Sequence, residues 1–356
     1  MKKLLYILIS IISIVLLFYI TVYKDYILGK DENKVYEIIN QETIEIDSLL
    51  FTNLFNQYII TNNEKKIIFI NFNGEIIYER NNSVFSDKLF LTDKYLFRGL
   101  KDSIEIIDLN NKSFILVEVI GEILNVSREN NKTYIITKQK NGQNTLDALY
   151  ILDENMELVV KNKHYIDKIT SVAMSDKSEA YCLSTLNAGD GTINNTIYFN
   201  LLDDIELWNV VIENEVIIGT EIIKNNILAI GTENIYYYNL NGKLVWKIKN
   251  YNKINDYKLN KETEKIYILQ NDGTELISYD LDGKVNEIYK TSENVRYLKV
   301  LNKNIFLYDD NTIYMLKNNS LHKLFNSGSL KIEDFYVESQ NIYIVFNNKF
   351  IKGKIK

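Results

Sequence analysis

VRYLKVLNKNIFLYDDNTIYMLKNNSLHKLF, residues 295–325, falls into four short runs: Val295 to Leu301, Asn304 to Tyr308, Thr312 to Leu316 and Leu321 to Phe325. Runs of five to seven residues rich in Ile, Tyr, Phe and Leu and bounded by Asn and Asp read as β-strands joined by tight turns. Long helical periodicity is absent. Four consecutive short strands make one antiparallel sheet, and the question becomes whether the sheet repeats.

It does. The turns Asn71-Phe72-Asn73-Gly74, Asp108-Leu109-Asn110-Asn111, Asn239-Leu240-Asn241-Gly242 and Asp280-Leu281-Asp282-Gly283 are near copies, with looser ones at Glu154-Asn155, Asp203-Asp204 and Asn318-Asn319. Asn or Gly in these places suits the positive φ of a type I′ hairpin turn. The turn positions 73, 110, 154, 203, 241, 282 and 318 stand 36 to 49 residues apart. A period near 40 with about four strands per period is the sequence signature of a β-propeller, whose blades are four-stranded sheets around a channel. Hairpins stacked as two sandwiches would not keep so regular a spacing.

After the seventh turn only three runs remain, Asp334 to Val337, Ile342 to Phe346 and Phe350 to Ile355. The run Lys34 to Ile39 lies before the first complete unit and supplies a fourth strand if the two ends of the chain pair. That closes the ring at eight blades, with seven as the alternative, and removes the open sheet edge on which strands of other chains could add. The expected propeller domain is 34–356.

Ahead of it, Leu4 to Tyr23 is an uncharged apolar stretch of 20 residues, the length a helix needs to cross ~30 Å of hydrocarbon. No small-x-small cleavage site follows it, which favours an uncleaved signal-anchor over a removed signal peptide. Lys2 and Lys3 favour a cytoplasmic N-terminus of residues 1–3, a single transmembrane helix over 4–23, a short charged linker over 24–33 and a propeller on the outer side of the cell membrane, although Lys24, Lys30 and Lys34 weaken the positive-inside bias. The bilayer, contacted through residues 4–23, is thus one expected partner.

Composition narrows what the propeller does. With 46% hydrophobic and 25% charged residues the chain is globular, and its 26 Tyr and 15 Phe suit strands. The formal charge of −6, with no long basic run after the N-terminus, argues against a nucleic-acid surface. Cys182 is the only cysteine, so no intramolecular disulfide forms, and its apolar setting reads as a buried structural thiol. His164 and His322 lack zinc-site spacing, no Gly-x-Ser-x-Gly elbow occurs, and the paired carboxylates Asp203-Asp204 and Asp309-Asp310 read as turns. No catalytic residue, cofactor or metal is assigned.

The unit Ile235 to Lys249, IYYYNLNGKLVWKIK, resembles the repeat of the quinoprotein (PQQ-repeat) propellers, in which a turn glycine is followed four residues later by a blade-locking tryptophan. Gly242 and Trp246 fit; Trp208 stands four after Asp204 and Tyr78 four after Gly74, while Gly283 lacks the aromatic. The resemblance implies an eight-bladed fold over most of 34–356. It does not imply the quinone, because one cysteine cannot form the vicinal disulfide of those dehydrogenases. The layout of anchor plus degenerate propeller is similar to membrane-anchored propeller families of unknown function in low-GC Gram-positive bacteria.

Two segments break the regular spacing. Leu186 to Asn195, LNAGDGTINN, reads as an oversized loop between the second and third strands of the fourth blade, and Lys140 to Thr145, KNGQNT, takes the equivalent position in the third. Loops that interrupt a repeat mark a functional face, which makes Asn187, Asp190, Asn194, Asn195, Asn141 and Gln143 the candidate interaction residues. One carboxylate among them makes a poor calcium site. The expected role is a non-enzymatic binding or scaffolding module for a protein or cell-envelope polymer. The alternative is a cell-envelope hydrolase or lyase whose site lies at the channel mouth, betrayed by clustered carboxylates and a tyrosine there.

Overall fold

A computed structural model describes residues 37–45, 51–55, 58–62, 66–81, 88–92, 94–100, 102–142, 144–176, 179–189, 191–203, 205–250, 252–291, 294–301, 303–317 and 320–356. The anchor stretch 4–23, the linker 24–33, Gln143 and Asp190 lie outside them. Among the described residues no helix is long and apolar enough to cross a membrane.

The described chain is all β: eight antiparallel sheets of four strands each, a complete eight-bladed propeller. Blades 1 to 7 span 51–81, 89–118, 122–165, 168–213, 217–249, 254–290 and 297–326 in sequence order. Blade 8 is assembled from both ends, with Ile38–Glu45 pairing outside Lys349–Ile355, then Asn341–Val345, then Asp334–Glu338. The closing strand begins four residues later than the Lys34 to Ile39 run. Its register is set by Ile38, which sits over Gly353 and packs into the core between blades 7 and 8, with an irregularity after Ile39.

Within each blade the first strand lies innermost and meets its counterpart in the next, as Lys168–Met174 meets Ile217–Ile223. The apolar core is spread over eight clusters, one between each pair of neighbouring blades. The cluster that closes the ring joins Ile59 and Phe72 of blade 1 to Tyr343, Val345 and Phe350 of blade 8, with Phe72 and Tyr343 stacked at 3.6 Å between centroids. Burial between blades, at ~25 cal/mol per Å² of apolar area, therefore stabilises the ring as a whole.

The repeat turns differ from the type I′ expectation. Each carries a single residue at positive φ rather than two: Gly74 (84°), Gly242 (75°) and Gly283 (81°). Gly242 N donates to Asn239 O at 3.0 Å, and the register slips by one residue between Tyr237 and Tyr238, which defines a type I turn ending in a glycine bulge. The leading Asn239 fixes this form, because its side-chain oxygen accepts from Asn241 N and Lys243 N. In blades 2 and 3 the glycine is replaced, and Lys112 (63°) and Met156 (65°) take the left-handed position.

The tryptophan lock is present and crosses between blades. Trp208 Nε1 donates to Leu240 O at 2.8 Å, and Trp246 Nε1 to Leu281 O at 3.0 Å. Each indole lies flat against the turn glycine of the following blade, where a Cβ on Gly242 or Gly283 would stand 2.9 or 3.0 Å from the ring. Tyr78 lacks an indole N–H, and in the turn after it the Lys112 ammonium caps the equivalent carbonyl, that of Leu109, while lying near the Tyr78 ring. Ile44 of the closing strand sits over Gly74 in the same way.

Candidate functional site

The connections fall on two faces. One carries the links from first to second and from third to fourth strands, including the repeat turns; the chain ends meet there too, Lys356 N donating to Glu37 O at 3.0 Å. The other carries the second-to-third hairpins and the links between blades.

On the latter face the two long insertions are not loops. Ala180–Gly189 and Thr192–Leu201 are ten-residue strands paired out to Gly189 with Thr192, and Lys132–Asn141 pairs with Asn144–Leu152 out to Asn141 with Asn144. They are adjacent hairpins that extend blades 3 and 4. Their tips lack apolar alternation because both sides meet solvent, so a strand there looks like a loop in the sequence.

The candidate residues separate by role. Asn195 is fully buried; its amide donates to Thr185 O at 2.6 Å and its carbonyl accepts Ile217 N at 2.8 Å, tying blade 4 to the first strand of blade 5. Asp147 makes the same tie to Ile169 N from the equivalent place in blade 3, at 2.9 Å, and burial raises its carboxyl. Asn187 is exposed and donates to Asp167 at 2.7 Å, bracing its hairpin against the link from blade 3. Asn194 is half-buried opposite Asn187, and Asn141 is exposed near its tip. Gln139 braces the other hairpin through Asn162 at 2.6 Å and Ile120 O at 2.9 Å. Ile166, on the link between the two hairpins, is 88% exposed, and Ile120 and Ile193 add apolar surface on this face.

The opposite mouth of the channel holds a cluster the sequence did not flag. A cavity of about 520 Å³ is lined by the ends of first strands, with Arg128 and Glu129 from blade 3, Glu221 from blade 5, and Lys258 and Lys261 from blade 6. Lys261 pairs with Glu129 and lies 3.9 Å from Glu221. The second Glu129 oxygen accepts Met174 N at 2.9 Å. Burial, reinforced by the Glu129 charge and opposed by Lys261 and Lys258, pushes the Glu221 carboxyl up to about 7. Burial also raises Tyr134 and Tyr257, the latter packed tightly over Gly219. Lys261 is held above its usual range by the Glu129 bond despite the opposing effect of burial. Glu129 and Lys261 are 132 residues apart in the chain, so no local motif joins them.

Among the described residues no group of three His, Cys, Asp or Glu side chains converges as a metal site would require. His164 is exposed and shares a hydrogen bond of 3.0 Å with Gln139, and Cys182 is buried within the apolar cluster of blades 4 and 5.

The geometry defines a protein of the eight-bladed β-propeller class. The chain is similar in fold to BamB from Moraxella catarrhalis, with a TM-score of 0.57 at 12% identity over 91% of this chain and 98% of that one. It is similar also to Saccharomyces cerevisiae Sqt1, with a TM-score of 0.60 at 9% identity over 89% of this chain and 98% of that one. No protein-family model and no curated protein matches the sequence.

Proposed function

We propose that this protein is a membrane-anchored, extracytoplasmic scaffold that binds a protein or cell-envelope polymer through the face bearing the extended hairpins of blades 3 and 4. The carrying observation is that Asn187, Asn141, Ile120, Ile166 and Ile193 bring exposed amides and exposed apolar groups together on one rigid, braced surface. Mixed amide and apolar surface on a rigid support is what a protein interface needs. The propeller fold of the two solved structures is compatible with this reading.

The anchor is the 4–23 stretch, with residues 1–3 in the cytoplasm and 24–33 as linker. Since the described chain begins at Glu37 on the repeat-turn face, an anchor preceding it leaves the hairpin face pointing away from the bilayer. The IYYYNLNGKLVWKIK unit and the Trp208 and Trp246 locks support kinship with the PQQ-repeat-like anchored propellers of low-GC Gram-positive bacteria.

The test is crosslinking on intact cells, comparing the full-length protein with a variant whose residues 187–194 are replaced by a two-residue turn that keeps Asn195. Recurrent capture of one envelope component, lost in the variant, supports the reading; capture that the variant leaves intact removes this face from it. A second reading, a hydrolase or lyase at the channel mouth, is favoured by Glu129, Glu221 and Lys261 lying together near Tyr134. Turnover of an envelope glycan or peptide, abolished by Glu221→Gln, would decide for it.

A further inference from the structure

Three features remain after the hairpin face is assigned: the channel mouth, the buried Arg98 and Glu105 pair, and a cleft of about 580 Å³ among Phe72, Ile77, Lys112, Tyr343 and Lys352. The Arg98 and Glu105 pair is almost fully buried, and the cleft offers Asn amides with one carboxylate at its rim. The channel mouth has both volume and an incompletely satisfied charge.

We propose that the channel mouth on the repeat-turn face binds a small zwitterion, a molecule of short-peptide size carrying a primary ammonium and a carboxylate. Of the two carboxylates, Glu129 has a donor on each oxygen, Lys261 on one and Met174 N on the other. Glu221 does not: its nearest cation is Lys261 at 3.9 Å, beyond hydrogen-bond length, and among the described residues it has no closer donor. A carboxylate facing a cavity without a donor gains a charge-assisted bond from an ammonium brought by a ligand. On the positive side, Lys258 is half exposed, with Asp256 at 3.7 Å, and Arg128 lies alongside. Lys258 can receive the ligand's carboxylate, whereas the Arg128 guanidinium lies over the Tyr95 ring.

The lining is charge-balanced, with Arg128, Lys258 and Lys261 against Glu129, Glu221 and Glu262. A balanced lining gives no net attraction to a polyanion or polycation and matches a ligand that is itself neutral overall. The volume exceeds that of one amino acid and falls within the range of small-molecule sites. Ser127, Thr220 and Asn260 border the same space, Thr220 with its hydroxyl and N–H held by Ser171.

Because the ammonium needs Glu221 ionised, and burial with Glu129 nearby raises that carboxyl to about 7, binding strengthens as pH rises from 6 to about 7.5, above which the ligand's own ammonium begins to lose its proton. The other charged groups acting on Glu221 are Glu129, Lys261 and Lys258; Arg128 and Glu262 line the same cavity, Asp176 acts on Lys261, and the tyrosines 134 and 257 are close by.

The experiment is equilibrium dialysis of the full-length protein in detergent micelles against labelled trialanine, its N-acetyl form and its C-terminal amide. Saturable trialanine binding, lost on N-acetylation and in Glu221→Gln, weakened about tenfold by amidation and by Lys258→Ala, and tighter at about pH 7.5 than at pH 6, is the expected result. A melting curve for each variant separates lost binding from lost folding. Absence of saturable binding to the folded wild type, equal binding of the acetylated peptide, or full retention in folded Glu221→Gln would overturn the assignment. Cleavage of bound trialanine would speak for the enzymatic reading; binding without cleavage leaves the zwitterion site standing by itself.

Discussion

Trp246 of blade 5 donates its indole N–H to the carbonyl of Leu281 in blade 6 at 3.0 Å and lies against Gly283, where a Cβ would stand 3.0 Å from the ring. The glycine therefore does two jobs. It supplies the positive φ of 81° that ends the turn, and it leaves the space into which the neighbouring blade's tryptophan packs.

Gly283→Ala should destabilise the propeller by about 1–2 kcal/mol through strain and crowding, and Trp246→Ala by about 2–4 kcal/mol. If both act through the same contact, the double variant costs less than the two added together, because the alanine Cβ no longer meets an indole. Urea denaturation of the four proteins measures the coupling. Strict additivity would mean that tryptophan and glycine stabilise separate blades.

Arg98 and Glu105 face each other on neighbouring strands of blade 2, both 4% exposed and paired at 2.7 Å, with Arg80 of blade 1 reaching the other Glu105 oxygen at 2.7 Å. Removing the carboxylate takes from the buried Arg98 guanidinium the charge it is paired with. Glu105→Ala should cost about 3–5 kcal/mol, whereas Arg98→Met with Glu105→Leu should cost less, since the desolvation of the two most buried charges disappears together and only the more exposed Arg80 loses this partner. Equal losses in the two variants, read from denaturation midpoints, would contradict this.

Asn195 and Asn187 belong to one hairpin and should behave oppositely. Asn195→Ala strips Ile217 N and Thr185 O of a buried partner and should cost about 1–3 kcal/mol. Asn187→Ala loses one exposed bond to Asp167 and should change stability by less than about 0.5 kcal/mol. Thermal melts of the two single variants suffice.

The contrast between these two asparagines marks where the sequence stops being readable. Strand runs such as Thr312 to Leu316 were legible because apolar side chains must alternate between buried faces, and the split last blade was legible because three strands cannot close a ring. Turn chemistry was half legible: Asn239 and Gly242 announce a turn, but the left-handed places taken by Met156 and Lys112 go against residue preference and are imposed by the blades around them. The long hairpins looked like loops because their tips have no buried side. Glu129, Glu221 and Lys261 left no signal at all, since the strands that carry them become neighbours only when the ring closes.

Cys182 offers a test of membrane orientation. It is fully buried, and burial raises its thiol well above the usual range, so it should stay unlabelled by thiol reagents in the folded protein. Ile166→Cys places the only reactive thiol on the exposed link between the hairpins. In intact cells a membrane-impermeant maleimide should label this variant and not the wild type. Labelling that appears only after lysis would put the propeller on the cytoplasmic side and overturn the proposed orientation.

Glu221 predicts the sign of a pH effect. Its folded-state carboxyl titrates near 7, above the unfolded value of about 4.5, so the folded protein holds the proton more tightly than the unfolded chain. The associated stability is fully present below about pH 4.5 and is lost as pH rises through 7. Glu221→Gln cannot lose a proton and should keep that stability throughout. The side chain is 24% exposed, which screens part of the effect, so the variant should gain about 1–3 kcal/mol over wild type at pH 8 relative to its difference at pH 5. Urea midpoints of both proteins at the two pH values decide it, because other titrating groups contribute equally to each and cancel. A constant difference between the proteins would show that the Glu221 carboxylate is well solvated, and would weaken the case that it waits for a cation at the channel mouth.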